Sequence, residues 1–228
     1  MRATAFAGLA LLLPLALGTP ATADTPSIEP GDDLWVGDAG CTLAFVFDGT
    51  GGNAGKVFFL TAAHCVERVG QRAETSDAGE FGTVRLIGDA DETAQDYAFI
   101  EVDEAKESLV SAGVAGSPDW PTGSTVSGET ATGDLLQQSG YGTVFSFTGP
   151  TREWRQGALT FDDAEVWGFA GAMDFGDSGG PLVHVDTGKA LGIESRICLG
   201  VCTDEGPTVE GILAKAAARG FGVELRTA

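Results

Sequence analysis

The sequence predicts an all-β protein with a single C-terminal helix. Three observations carry this: the glycine content, a chain of short β-type runs divided by turn signals, and one stretch of helical period near the end. Glycine supplies 34 of 228 residues, about twice ordinary usage. Without a Gly-X-Y period, so much glycine means many tight turns. The hydrophobic fraction of 43% and mean hydropathy of +0.08 are enough for a buried core and exclude a disordered chain.

The first residues stand apart. Arg2 precedes an apolar stretch from Ala5 to Leu17, interrupted by Gly8 and Pro14, and Ala21-Thr22-Ala23 has the small residues of a cleavage site. The stretch is too short for a bilayer, which needs about 20 residues. Residues 1–23 are therefore expected to be a cleaved signal peptide and the mature protein to be secreted. An arm without periodicity, residues 24–34, follows. Cys41–Phe47 and Lys56–Thr61 read as a hairpin around Asp48-Gly49-Thr50-Gly51-Gly52-Asn53. Further β-type runs are Gly82–Ile87, Tyr97–Val102, Thr143–Thr148, Ala158–Phe161, Glu165–Phe169, Pro181–Val185 and Ala190–Ser195. This spacing suits a sandwich or barrel. The Gly-, Ser-, Thr- and Pro-bearing stretch Leu109–Gly133 separates two halves, 35–125 and 126–228. The helix is expected over Val209–Arg219, with Ile212, Leu213 and Ala216 on one face and Gly220 at its stop. The strand-like Gly222–Thr227 has no evident place.

Thirteen Lys and Arg against 33 Asp and Glu give a formal net charge of −20. Such a surface repels nucleic acid and anionic membranes, and neither is expected as a partner. Four cysteines, Cys41, Cys65, Cys198 and Cys202, in an exported chain read as disulfides. Three connectivities are open, and the two local pairs are the natural ones. Neither histidine has zinc-site spacing to a Cys pair, so no metal is expected.

The sharpest chemical signal is Gly176-Asp177-Ser178-Gly179-Gly180-Pro181. Glycines on both sides of a serine allow a turn that aims the N–H groups of Gly176 and Ser178 at one point, as an oxyanion hole requires. A serine hydroxyl needs a base to become a nucleophile. His64, in Thr61-Ala62-Ala63-His64-Cys65, stands where a β-run ends beside a cysteine; His184, within a predicted strand, reads as structural. The base in turn needs an acid to hold its tautomer. Asp96 opens Asp96-Tyr97-Ala98-Phe99-Ile100, a placement that buries a carboxylate at the start of a strand. Asp89, Asp91 and Asp103 read as solvated charge, and the acidic stretch Gly88–Glu92 lacks a calcium-loop signature.

These three motifs, in the order His, Asp, Ser, resemble the chymotrypsin/trypsin family of serine endopeptidases, and their short intervals resemble its secreted bacterial branch. The resemblance implies two six-stranded antiparallel β-barrels with the catalytic His64, Asp96 and Ser178 in the cleft between them. It implies the oxyanion donors Gly176 and Ser178, a Cys41–Cys65 disulfide beside the histidine, and Ser195 on a substrate-binding strand. It further implies a protein or peptide substrate, no cofactor and a monomeric enzyme. The family's pocket floor falls at Ala172, followed by Met173, with Ile197 across the entrance. Cleavage after small to medium apolar residues is expected, with Asp174 the rival that would favour Arg or Lys. Cys198 is left to pair with Cys202. No Ile-Val-Gly-Gly start follows a basic site, so Asp177 is expected to find its partner in Gln138, Arg152 or Arg155. Two other classes compete. The Gly176-x-Ser178-x-Gly180 pattern also fits an α/β-hydrolase elbow, which needs an acid and then a histidine after the serine, whereas here only His184 follows, with Asp186 beyond it, and the βα alternation is missing; a catalytically silent binding protein of the same family is the other.

Overall fold

The computed structural model describes residues 26–142, 152–198 and 202–228. The predicted signal peptide and the β-run predicted at 143–148 lie outside them. The molecule is built of two curled antiparallel sheets and one helix, the two-barrel architecture that the motifs imply.

The first sheet begins with β1 (Asp33–Val36), β2 (Ala39–Thr42), β3 (Val46–Gly49) and β4 (Val57–Thr61). It continues with β5 (Arg72–Thr75), β6 (Gly79–Ile87) and β7 (Ala98–Val102). The second sheet holds β8 (Leu135–Gly140), β9 (Glu153–Asp162), β10 (Val166–Ala170), β11 (Pro181–His184), β12 (Lys189–Ile193) and β13 (Asp204–Pro207). Helix α1 (Val209–Ala218) follows, and β14 (Val223–Leu225) ends the chain. The first sheet runs β14-β3-β4-β7-β6-β5-β1-β2 and the second β12-β11-β8-β9-β10-β13.

The predicted run Cys41–Phe47 divides into β2 and β3. Between them the chain turns inward: Leu43 N–H donates to Asp32 and Ala44 N–H to Leu60. The β3–β4 turn needs glycine at Gly49, where a Cβ would stand 2.0 Å from the Asn53 carbonyl oxygen. Helix α1 starts at Thr208, whose hydroxyl accepts from Gly211 N–H at 3.0 Å. It ends before Gly220, at φ +75°. Its buried face is Val209, Ile212 and Ala216.

Three apolar clusters form the core. One, around Leu34, Phe59, Phe81 and Ile100, belongs to the first sheet; another, around Leu136, Trp167, Phe169 and Leu191, belongs to the second. The third joins the halves: Phe45, Phe47, Phe58 and Phe99 pack with Val183 and Ile193 of the second sheet and with the helix face.

The strand-like tail has a place. Residues of β14 pair with β3, Leu225 opposite Phe47, so the C-terminal strand completes the edge of the first sheet. The first sheet thus has eight strands rather than six. Phe221 packs edge-on against Phe58 at 5.1 Å, and Arg226 pairs with Asp48. Both disulfides, Cys41–Cys65 and Cys198–Cys202, are formed. Among the described residues no helix is long and apolar enough to cross a membrane.

Candidate active site

Strand pairing brings His64 and Asp96 together. In the β4–β7 ladder Thr61 stands opposite Ala98, so β4 leaves the sheet where β7 enters it. Three residues beyond Thr61 and two before Ala98 therefore meet. A 3-10 turn over Ala63–Cys65 presents the imidazole, and the Cys41–Cys65 bond ties that turn to β2. The apolar residues behind Asp96 draw it inward: Tyr97, Ala98, Phe99 and Ile100 are all buried, and Asp96 is 1% exposed.

The buried carboxylate is well supplied with donors. His64 Nδ1 lies 2.7 Å from Asp96 Oδ2, and the His64 backbone N–H donates to Oδ1 at 2.9 Å. Ser195 donates its hydroxyl to Oδ2 at 2.5 Å. Two contacts from one histidine, main chain and ring, fix the imidazole plane. The ring itself remains 35% exposed at the mouth of the cleft.

Ser178 comes from the second sheet, on the loop between β10 and β11. Thr42, at the end of β2, fastens this loop to the first sheet. Its N–H donates to the Ser178 carbonyl at 2.9 Å. Its hydroxyl donates to the Gly176 carbonyl at 2.7 Å and accepts from Tyr141 N–H at 3.0 Å. The loop passes so close to β4 that a Cβ on Gly179, at φ +85°, would lie 2.2 Å from Thr61 Oγ1. Only glycine allows both that approach and that dihedral. Asp177 N–H turns inward to Asp174, whereas among the described residues the N–H groups of Gly176 and Ser178 donate to no acceptor. They flank a cleft of about 500 Å³ lined by Ala39, Gly40, Cys41, His64, Phe175, Gly176, Ser178, Ser195 and Ile197.

Of the residues singled out in the sequence, His64, Gly176, Ser178, Ser195 and Ile197 thus share one cleft, with Asp96 buried behind the histidine. Ala172 and Met173 do not line it. Ala172 is exposed and its carbonyl accepts from Arg155 at 3.3 Å; Met173 is buried in the second sheet's core with Ile197 packed nearby. Asp174 is buried and accepts from Phe175 N–H at 2.7 Å. His184 is buried in β11 between Thr187 and Asp134, remote in function from the cleft. The sulfurs of Cys41 and Cys65 approach the His64 ring closely enough for a shared ion, but a disulfide offers no thiolate to a metal.

Among the three partners expected for Asp177, the structure selects Arg155. Arg155 Nη1 donates to Asp177 Oδ2 at 2.6 Å, and Asp174 N–H donates to the same oxygen at 2.7 Å. Arg152 instead pairs with Glu29 and Asp32 of the N-terminal arm. Burial pushes the Asp177 carboxyl above the usual aspartate range, against the pull of Arg155.

Thr42 was missed in the sequence. Its position after Cys41 is visible, but its role depends on two sheets meeting at that point, which no local pattern encodes.

Solved structures of known proteins share this fold. Protease A from Thermobifida fusca is 20% identical and has a TM-score of 0.62, with 89% of this chain and all of that chain covered. The chymotrypsin of Cellulomonas bogoriensis is 20% identical with a TM-score of 0.57, covering 88% of this chain and all of that one. A Glu endopeptidase is 14% identical with a TM-score of 0.58, covering 83% and 90%. No curated protein sequence matches the chain. Residues 42–193 match the trypsin-like peptidase domain, a span reaching from the threonine that clamps the loop to the last residue of β12. The chain belongs to the trypsin-like peptidase family and is a serine protease.

Proposed function

We propose that the protein is a secreted serine endopeptidase acting through an acyl-enzyme, with Ser178 as nucleophile, His64 as base and Asp96 as the acid that orients it. The observation that carries this reading is the buried Asp96–His64 pair opening on the same cleft as Ser178. His64 Nε2 takes the Ser178 hydroxyl proton as Oγ bonds to the scissile carbonyl carbon. The negative oxygen that develops is met by the N–H groups of Gly176 and Ser178. The C–N bond breaks as His64 returns the proton to the leaving amine. Water then attacks the ester, again through His64, and releases the acid and Ser178. Asp96 keeps Nδ1 protonated and offsets the imidazolium charge throughout.

Export is supported by the N-terminal sequence pattern and by the two disulfides. Phe175 and Ile197 on the cleft favour a small to medium apolar residue before the scissile bond. The substrate is a protein or peptide and the enzyme acts as a monomer without a cofactor. The test is labelling of the mature protein by a serine-directed fluorophosphonate. Stoichiometric labelling abolished by Ser178→Ala supports the reading; a folded wild type that is neither labelled nor cleaves a peptide library is the silent binding protein instead.

A further inference from the structure

One buried carboxyl group beside the nucleophile loop takes no part in the chemistry above. Glu194 is 2% exposed, and among the described residues neither of its carboxyl oxygens receives a hydrogen bond. Its backbone is bound to the loop on both sides: Gly179 N–H donates to the Glu194 carbonyl at 2.7 Å, and Glu194 N–H donates to the Gly180 carbonyl at 3.0 Å. The next residue, Ser195, donates to Asp96. Glu194 therefore stands at the joint between the segment carrying Ser178 and the segment bracing the acid of the triad.

Among the described residues, Asp177 on the loop, Arg155 on β9 and Asp204 on β13 act on its charge. Arg155 is already spent on Asp177 and Glu153. Asp204 accepts from Cys198 N–H. An ionised Glu194 would place another negative charge here with no free cation among the described residues to meet it. A buried carboxyl group in that position keeps its proton instead.

We propose that Glu194 is a positioning residue held as the neutral acid in the working enzyme, and that loss of its proton draws Arg155 from Asp177, loosens the Gly176–Gly180 loop and switches the protease off. Burial raises its pKa well above the ordinary glutamate value, with Asp177 and then Asp204 adding to the effect and Arg155 opposing it. The sign follows from linkage. Where the folded state holds the proton more tightly, the stabilisation is complete below the unfolded pKa and is lost as pH rises through the folded one. Loop order and activity therefore fall together on the alkaline side.

The inference rests on Ser178 being the nucleophile. Its test is kcat/KM and the rate of fluorophosphonate labelling against pH for wild type and Glu194→Gln, which keeps the shape and cannot ionise. The wild type should lose activity about tenfold per pH unit above a single-proton limb, whereas Glu194→Gln keeps at least half of the plateau rate and lacks that limb. The same limb in both proteins overturns the proposal, as does a folded Glu194→Gln variant that is inactive at every pH. If Glu194→Gln does not fold, the carboxyl stretch of wild-type Glu194 in infrared difference spectra decides, and titration in the ordinary glutamate range overturns it. Failure of the nucleophile assignment would look different: no labelling of the wild type at any pH.

Discussion

Arg155 reaches the buried Asp177 at the base of the Gly176–Gly180 loop and forms an ion pair with it, Nη1 of the arginine 2.6 Å from Oδ2 of the aspartate. Asp177 has no exposed surface, and Arg155 reaches it from the long strand β9 rather than from a chain terminus. The acid beside the serine is thus held by an internal side chain.

Removing the cation should therefore leave an uncompensated buried charge, which costs about 3–5 kcal/mol. Arg155→Met is expected to lower stability by about that amount and to reduce the fraction of active sites that a fluorophosphonate titrates. Arg155→Lys should recover only part of both, since an ammonium is a point charge without the guanidinium fork. Denaturant unfolding together with active-site titration checks this. Wild-type values for Arg155→Met would mean that the pair is dispensable.

Ser178→Ala and His64→Ala should each abolish nearly all peptidase activity while leaving the unfolding midpoint close to wild type, because both residues border the open cleft rather than the core. Asp96→Asn should lower turnover by about 10⁴-fold, the size of the effect in the family's archetype, through the wrong imidazole tautomer. Turnover above a tenth of wild type in Asp96→Asn would identify another residue as the acid.

The motifs that meet at the candidate site and most buried strands are legible because their signals are local. Asp96 followed by four apolar residues, and glycines around Ser178, advertise burial and turn geometry within a few positions. What escaped the sequence depends on partners far away. Strand β8, Leu-Leu-Gln-Gln-Ser-Gly, and the first half of β9 carry polar residues, with Gln137 opposite Gln156 and Gln138 opposite Arg155 in the ladder, so no apolar alternation announces either strand. Thr42 earns its role only when the loop of the second sheet arrives beside it. The tail over Gly222–Thr227 reads as a strand but names no neighbour, and its pairing with β3 spans most of the chain. The choice of Arg155 among three partners for Asp177 is likewise set by strand register, not by sequence distance.

The tail supplies the next prediction. Phe221 packs on Phe58 and Phe99, and Val223 and Leu225 cover the same cluster. Phe221→Ala should cost about 2 kcal/mol, below the 3–5 kcal/mol typical of a fully buried phenylalanine, because its ring is only half-buried. Deleting Phe221–Ala228 should cost more, by also exposing the outer edge of β3. A deletion variant with the wild-type denaturation midpoint would show that β14 is an ornament of the sheet rather than part of its core.

Specificity gives the last prediction. The cleft carries Phe175 and Ile197 on its walls, and among the described residues no carboxylate lines it. Asp174, the acid placed to attract a basic residue, is buried and its carboxylate already accepts from Phe175 N–H. Reaching a substrate cation would mean giving up that hydrogen bond and turning the side chain out of the interior, which costs more than an exposed ion pair returns. The net charge of −20 works the other way, raising the encounter rate of cationic peptides without holding them in place. Steering weakens with salt, whereas apolar contact does not. Matched peptides differing only in the residue before the scissile bond should therefore give higher kcat/KM for Ala, Val or Leu than for Arg or Lys. Any advantage of the basic peptides at low salt should fade as salt is added. If Arg or Lys peptides remain preferred at high salt, and Asp174→Ala removes that preference, the enzyme has trypsin-like specificity and Asp174 turns toward its substrate.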